Sequence, residues 1–292
     1  MTPHAILLVL ASTLTHAWWN FLVKKNRGGT VFIGLSKVAE VVLFAPVFLA
    51  WSVPRASDYP GAWLLVLVAG LLALGNYAAL ARAYAHGDLS VVYPIARGGT
   101  LLFLPALGFL AFGERLSPVG WIALACIIAG IMLIRLAAFT RESASALVRL
   151  LWSPAVAYAL LASLTTAGYT VWDKRSVNLM PAFTYFYAYT VVIALCYVLW
   201  LVKWHSLAEI RDEWRAHRWP IVQVGVFNTT SYLLVLFALR TGTSSYVLAL
   251  RQFSIALGVL LGWRILGEDM AAPKRVGVLL LIAGCALVAF AR

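Results

Sequence analysis

The chain has 292 residues, 63% of them hydrophobic and only 12% charged, with a formal net charge of +12. A soluble domain carries about twice that charged fraction, so a soluble enzyme is excluded. The basic residues lie mostly at the ends of apolar runs, where positive-inside sorting puts them, so the charge reads as topology and no nucleic-acid partner is expected.

Ten apolar runs are predicted as helices, at 3–23, 30–51, 61–85, 89–111, 118–138, 152–174, 182–203, 217–240, 243–266 and 271–291. Each is long enough to cross a hydrocarbon layer of roughly 30 Å, and the alternating pattern of barrel strands is absent. The first run lacks a basic n-region and its continuation recurs later, so it reads as a retained helix and not a signal peptide. It ends in "THAWWNFLVKKN", where His16, Trp19 and Asn20 share one face at helical spacing. Polar groups in lipid face the bundle interior, so this face is expected to line a cavity. In the second run Lys37 and Glu40 lie three residues apart, placed either to neutralise each other or for Glu40 to carry a proton. Tyr77 and Tyr84 in the third run, Tyr169 in the sixth, Tyr232 in the eighth and Tyr246 in the ninth are cavity candidates. Arg97 and Arg251, in the fourth and ninth runs, have no acidic residue within a helical turn. The polar stretch "RLAAFTRESASALVRLLWSP" divides the chain nearly in half, and "KWHSLAEIRDEWRAHRWP" reads as an interfacial amphipathic segment with Trp204, Trp214 and Trp219 at headgroup level.

The two halves repeat. "FGERLSPVGWIALACIIAGIML" aligns with "LGEDMAAPKRVGVLLLIAGCALV", placing Gly113-Glu114 on Gly267-Glu268 and Ala129-Gly130 on Ala283-Gly284 at an offset of 154. Upstream, Tyr77 meets Tyr232 and Gly87 meets Gly242 at an offset of 155, while Thr15, Ala17, Lys24 and Lys25 meet Thr165, Ala167, Lys174 and Arg175 at 150. Residues 1–140 and 150–292 are therefore two homologous units of five helices. An odd number of spans per unit makes the second enter the membrane from the opposite side. The expected fold is an all-α membrane protein with two inverted five-helix repeats around a central cavity, an architecture that suits alternating access.

The duplicated Gly-Glu stretch, with the five-plus-five layout, resembles the EamA family of the drug/metabolite transporter superfamily over essentially the whole chain. The resemblance implies secondary transport of small metabolites, often outward, as in exporters of amino acids and aromatic amino acids; it does not name the substrate. In the related four-helix multidrug transporters an acidic residue on the first helix precedes a lysine by eight positions. Here that position is His16, ahead of Lys24, so the acidic coupling group of those relatives is absent. Imidazole titrates within the physiological range, which leaves His16, with Glu40, as a coupling candidate for protons.

Arg97 and Arg251 occupy equivalent positions at an offset of 154. Two guanidinium groups on one cavity form a fork for a carboxylate, phosphate or phosphonate, unless they pair with Glu40, Glu114 or Glu268. Together with the aromatic residues they favour an amino-acid-like substrate, with an organic phosphate or phosphonate carrier, or a lipid or glycolipid flippase, as alternatives. The five histidines show no H-E-x-x-H spacing and no Walker motif is present, so no metal, cofactor, catalytic residue or ATP-driven step is expected. Cys126, Cys196 and Cys285 fall in separate apolar runs and read as packing residues. The expected partners are a small-molecule substrate and the lipid bilayer of the inner (cytoplasmic) membrane, and a monomer suffices. Loops after odd-numbered spans carry 14 Lys and Arg, against 6 for the termini and remaining loops, which puts both termini on the exoplasmic side.

Overall fold

The computed structural model describes residues 1–53, 58–59, 61–87, 89–134, 136 and 153–291. Eleven helices follow one another among them: α1 Pro3–Lys25, α2 Thr30–Trp51, α3 Trp63–His86, α4 Leu89–Phe112, α5 Pro118–Ile134, α6 Pro154–Val177, α7 Ala182–Trp204, α8 Leu207–Thr241, α9 Ser244–Arg251, α10 Phe253–Leu266 and α11 Ala272–Phe290. Helices α9 and α10 meet at Gln252 and make one span, Ser244–Leu266. Among the described residues nine spans are long and apolar enough to cross a membrane, and the 17-residue α5 is the tenth.

Local chemistry sets the helix ends. Both halves open with the same grammar: the Thr2 side chain accepts from Ala5 N ahead of Pro3, and the Ser153 side chain accepts from Val156 N ahead of Pro154. The amphipathic segment expected at the interface is helical and runs into the eighth span. Ser206 and Glu209 form a capping box, and the chain bends at His217 (φ −128°, ψ 20°), three residues before Pro220. Most of the polar stretch between the halves lies outside the described residues.

An even number of spans returns the chain to its starting side, and the Met1 amino group lies 3.5 Å from the Ala291 carbonyl. We call this side the terminal face and the other the loop face. Leu7, Leu14, Val47, Leu71, Leu110, Leu199 and Val202 point outward as a lipid-facing belt.

The inverted repeat is visible in contacts that come in pairs. Where α5 crosses α11, a Cβ on Gly130 would stand 2.7 Å from the Gly277 carbonyl, and one on Gly284 would stand 2.8 Å from the Ala123 carbonyl. At the offset of 154, Ala123 corresponds to Gly277 and Gly130 to Gly284, so these are one contact seen twice. Small residues let the two backbones touch, as helices do when lipid supplies no hydrophobic drive between them. Likewise Asn76 Nδ2 donates to Ala162 O (2.8 Å) and Ser231 Oγ donates to Ser12 O (3.2 Å), joining α3 to α6 and α8 to α1. Helices α5 and α11 stand together as a pair, and the other spans surround a central cavity.

Candidate functional site

Two adjoining compartments, of about 410 and 450 Å³, share His16, Tyr93, Arg97, Arg251 and Gln252. The first extends toward the terminal face as far as Asp173, Phe186 and Leu248. The second leads to Lys24, Glu268 and Lys274 at the loop face. Arg97 and Arg251, from opposite halves, therefore stand where the compartments join.

Among the described residues neither arginine has a carboxylate within ion-pair distance. Among the described residues, the acids suggested as partners are taken by lysines instead: Glu40 by Lys37 (2.8 Å), Glu114 by Lys174 (2.5 Å) and Glu268 by Lys24. The Arg97 guanidinium lies 5.6 Å from the centre of the Tyr93 ring, and that of Arg251 lies 5.3 Å from the centre of Tyr232. Arg251 Nη2 donates to His16 Nδ1 at 3.3 Å. The Nε hydrogen of Arg251 and the indole N–H of Trp19 are buried without acceptors among the described residues. A buried unpaired donor is costly, so both are ready for an acceptor from outside the chain.

The face of α1 is assembled as its spacing predicts. The imidazole of His16 packs edge-on against Trp19 with ring centres 5.1 Å apart. As acceptor from Arg251, His16 Nδ1 carries no proton. Asn20 lines the second compartment, with Nδ2 donating to the His16 carbonyl (2.7 Å). Tyr77, Tyr84, Tyr169 and Tyr232 line the first. Tyr246 does not line either. It is buried at the terminal end of α9, where its hydroxyl accepts from Ser117 N (2.9 Å) and its ring fills the space over Gly120. Its position in α9 puts it against the loop before α5, so it packs the halves together.

Glu40 faces the cavity but is saturated: Lys37 Nζ, Asn228 Nδ2 (3.2 Å) and Thr229 Oγ1 (2.7 Å) all donate to it. Behind it α2 and α8 nearly touch, since a Cβ on Gly225 would lie 3.1 Å from the Ser36 carbonyl. Glu40 thus ties two helices together, and its ion pair with Lys37 is formed.

Asp173 is a further cavity residue. It is 3% exposed and lines the terminal end of the cavity, accepting hydrogen bonds from Tyr185 (2.7 Å) and Tyr232 (2.6 Å). In "VWDKRSV" it reads as part of a charged helix end.

The duplicated Gly-Glu motif also acquires a structural role. Gly113 and Gly267 both adopt positive φ (66° and 68°) and end their helices. The following glutamate folds back over the last turn, where Cβ atoms on Gly108 and Gly262 would collide with the carboxylates of Glu114 and Glu268. The fuller motif is therefore G-x-x-x-x-G-E, and the repetition of Gly108 in Gly262 at the same offset of 154 was the available signal.

Each glutamate takes its lysine from the first helix of the other half. The two locks differ in burial. At the terminal face Lys174 and Glu114 are 14% and 8% exposed, Ser244 donates to Glu114 through N (3.0 Å) and Oγ (2.5 Å), and Lys174 Nζ also donates to Gly242 O (2.7 Å). At the loop face Lys24 and Glu268 are 58% and 31% exposed. The cavity is sealed at the terminal face and extends to the loop face. Among the described residues no cluster of His, Cys, Asp and Glu could hold a metal ion.

Residues 153–290 match the profile of the EamA-like transporter family. The chain is 38% identical over 106 residues to the spermidine export protein MdtI of Shigella flexneri, covering 36% of this chain and 91% of that relative. The corresponding protein of Enterobacter sp. (strain 638) is 34% identical over 107 residues, with the same coverage. One solved crystal structure superposes with a TM-score of 0.75 over 99% of this chain and 98% of its own at 15% identity, a likeness of fold.

Proposed function

Because the chain belongs to the EamA-like transporter family of the drug/metabolite transporter superfamily, we propose that it exports a small amino-acid-like molecule across the inner membrane by alternating access. Membership makes it a multi-pass inner-membrane protein whose relatives are exporters and not enzymes. The substrate class rests on one observation, the two membrane-embedded arginines that face a common cavity and, among the described residues, form an ion pair with none of its carboxylates. Each would cost about 2.5–3.5 kcal/mol on insertion scales, and a substrate acid group is the partner that a transporter can supply. The inverted repeat and the unequal burial of the two locks support alternating access.

A second reading is favoured by the relatives named as spermidine exporters: a polyamine, which has no acidic group, would use the cavity carboxylates and leave both arginines idle. Counterflow in proteoliposomes separates the two. Under the first reading, preloaded amino acid drives uptake of its labelled form, and Arg97→Gln or Arg251→Gln weakens apparent affinity roughly ten- to a hundredfold. Arg→Lys restores part of it, because ammonium keeps the charge and loses the planar fork. Counterflow with spermidine alone, indifferent to both arginine substitutions, would sink the amino-acid reading.

A further inference from the structure

We infer that Asp173 is the receptor for a cationic amine on the transported molecule. The inference deepens the transport reading above and rests on it.

Among the described residues Asp173 is a cavity carboxylate that forms no ion pair. Glu40 has Lys37, and Glu114 and Glu268 have the lysines of the crossed locks, whereas no Lys, Arg or His lies within ion-pair distance of Asp173. Its two hydrogen bonds come from neutral phenols, Tyr185 on Oδ1 and Tyr232 on Oδ2. These orient the carboxylate, on which Arg251 acts through space and not as an ion-pair partner. A carboxylate has about four acceptor sites, so two oxygens already bonded still have room for an ammonium. The next residue, Lys174, cannot serve, because Glu114 and Gly242 O hold it in the terminal-face lock. Arg251 reaches the ring of Tyr232, and its Nη2 turns to His16.

The surroundings suit the same ligand. Tyr169, Phe186, Tyr189 and Tyr232 line this end of the cavity, and aromatic faces attract alkylammonium groups in water-poor sites. The arginines stand where the two compartments join, and Asp173 stands at the sealed end. The cavity is therefore bipolar. A zwitterion coming from the loop face would lie with its amine toward the terminal face and its acid group at the arginines.

The test uses the full-length protein in nanodiscs and four probes: phenylalanine, phenylalaninamide, 3-phenylpropionate and spermidine. In the parent, phenylalanine is expected to bind about tenfold or more tighter than 3-phenylpropionate, which lacks the amine; equal affinities would overturn the inference without any variant. Asp173→Asn keeps the shape and removes the charge. It is expected to weaken phenylalanine and phenylalaninamide about ten- to a hundredfold and to leave 3-phenylpropionate unchanged, which also reports an intact fold. Undiminished phenylalaninamide binding by the variant overturns the amine site. Asp173-dependent binding of spermidine or phenylalaninamide, with no binding of phenylalanine or 3-phenylpropionate, retains the amine site and overturns the amino-acid reading. Binding of none of the four overturns both.

Discussion

Glu114→Gln is expected to unseal the terminal face. The parent carboxylate accepts from Lys174 Nζ and from both the N and Oγ of Ser244, all in a setting at most 14% exposed on the ion pair. Removing one member of a buried pair costs about 3–5 kcal/mol. Glutamine keeps one acceptor for Ser244, which brings the figure to about 2–3 kcal/mol. If that energy holds the closed conformer, the ratio of closed to open falls roughly thirty- to a hundred-and-fiftyfold. The matching change at the loop face, Glu268→Gln, acts on a pair whose lysine is 58% exposed. Solvent screening limits it to about 1 kcal/mol or less, roughly fivefold. The readout is the labelling rate of Ser245→Cys by a membrane-impermeant thiol reagent, with Cys126, Cys196 and Cys285 replaced by alanine. Ser245 is 1% exposed on α9 beside Ser244, so its labelling needs the terminal face to open. Glu114→Gln should accelerate it by the larger factor and Glu268→Gln should not. Equal rates in parent and Glu114→Gln would refute the lock as the seal.

Three further outcomes are expected. His16→Leu removes the acceptor for Arg251 Nη2 and should weaken apparent substrate affinity about tenfold, whereas His16→Gln retains an acceptor and should lose little; counterflow titrations showing the same loss for both would mean that His16 only packs. Gly130→Ala would drive a Cβ to 2.7 Å from the Gly277 carbonyl, which cannot yield. It should cost about 1–3 kcal/mol, read as a lowered Tm in detergent, while Gly75→Ala, with nothing within 4 Å, should not lower it. A C-terminal alkaline phosphatase fusion should be active in intact cells, because 14 of the basic residues lie in loops after odd-numbered spans and 6 elsewhere outside the membrane; an active cytoplasmic reporter in its place would reverse the topology.

Span positions, the repeat and the embedded charges were legible in the sequence because each is a property of composition along the chain. Transfer into lipid demands an apolar run of fixed length, and duplication leaves its offsets in the residue numbers. The face of α1 was legible for a similar reason: His16, Trp19 and Asn20 are neighbours on one helix, so helical periodicity alone brings them together. Partnership across helices was not legible. Glu114 and Glu268 could equally have met the arginines, and only the packing of α1 and α6 beside the opposite Gly-Glu turns hands them to Lys24 and Lys174. Tyr246 shared the repeat logic of the cavity tyrosines, yet the crossing of α9 at the loop before α5 turned it to Ser117. Asp173 was hidden by its neighbours Lys174 and Arg175, which read together as a topology signal at a helix end. Consecutive residues on a helix point about 100° apart, so one of them can close a gate while the other faces the cavity, and which does which depends on what the other helices place beside them.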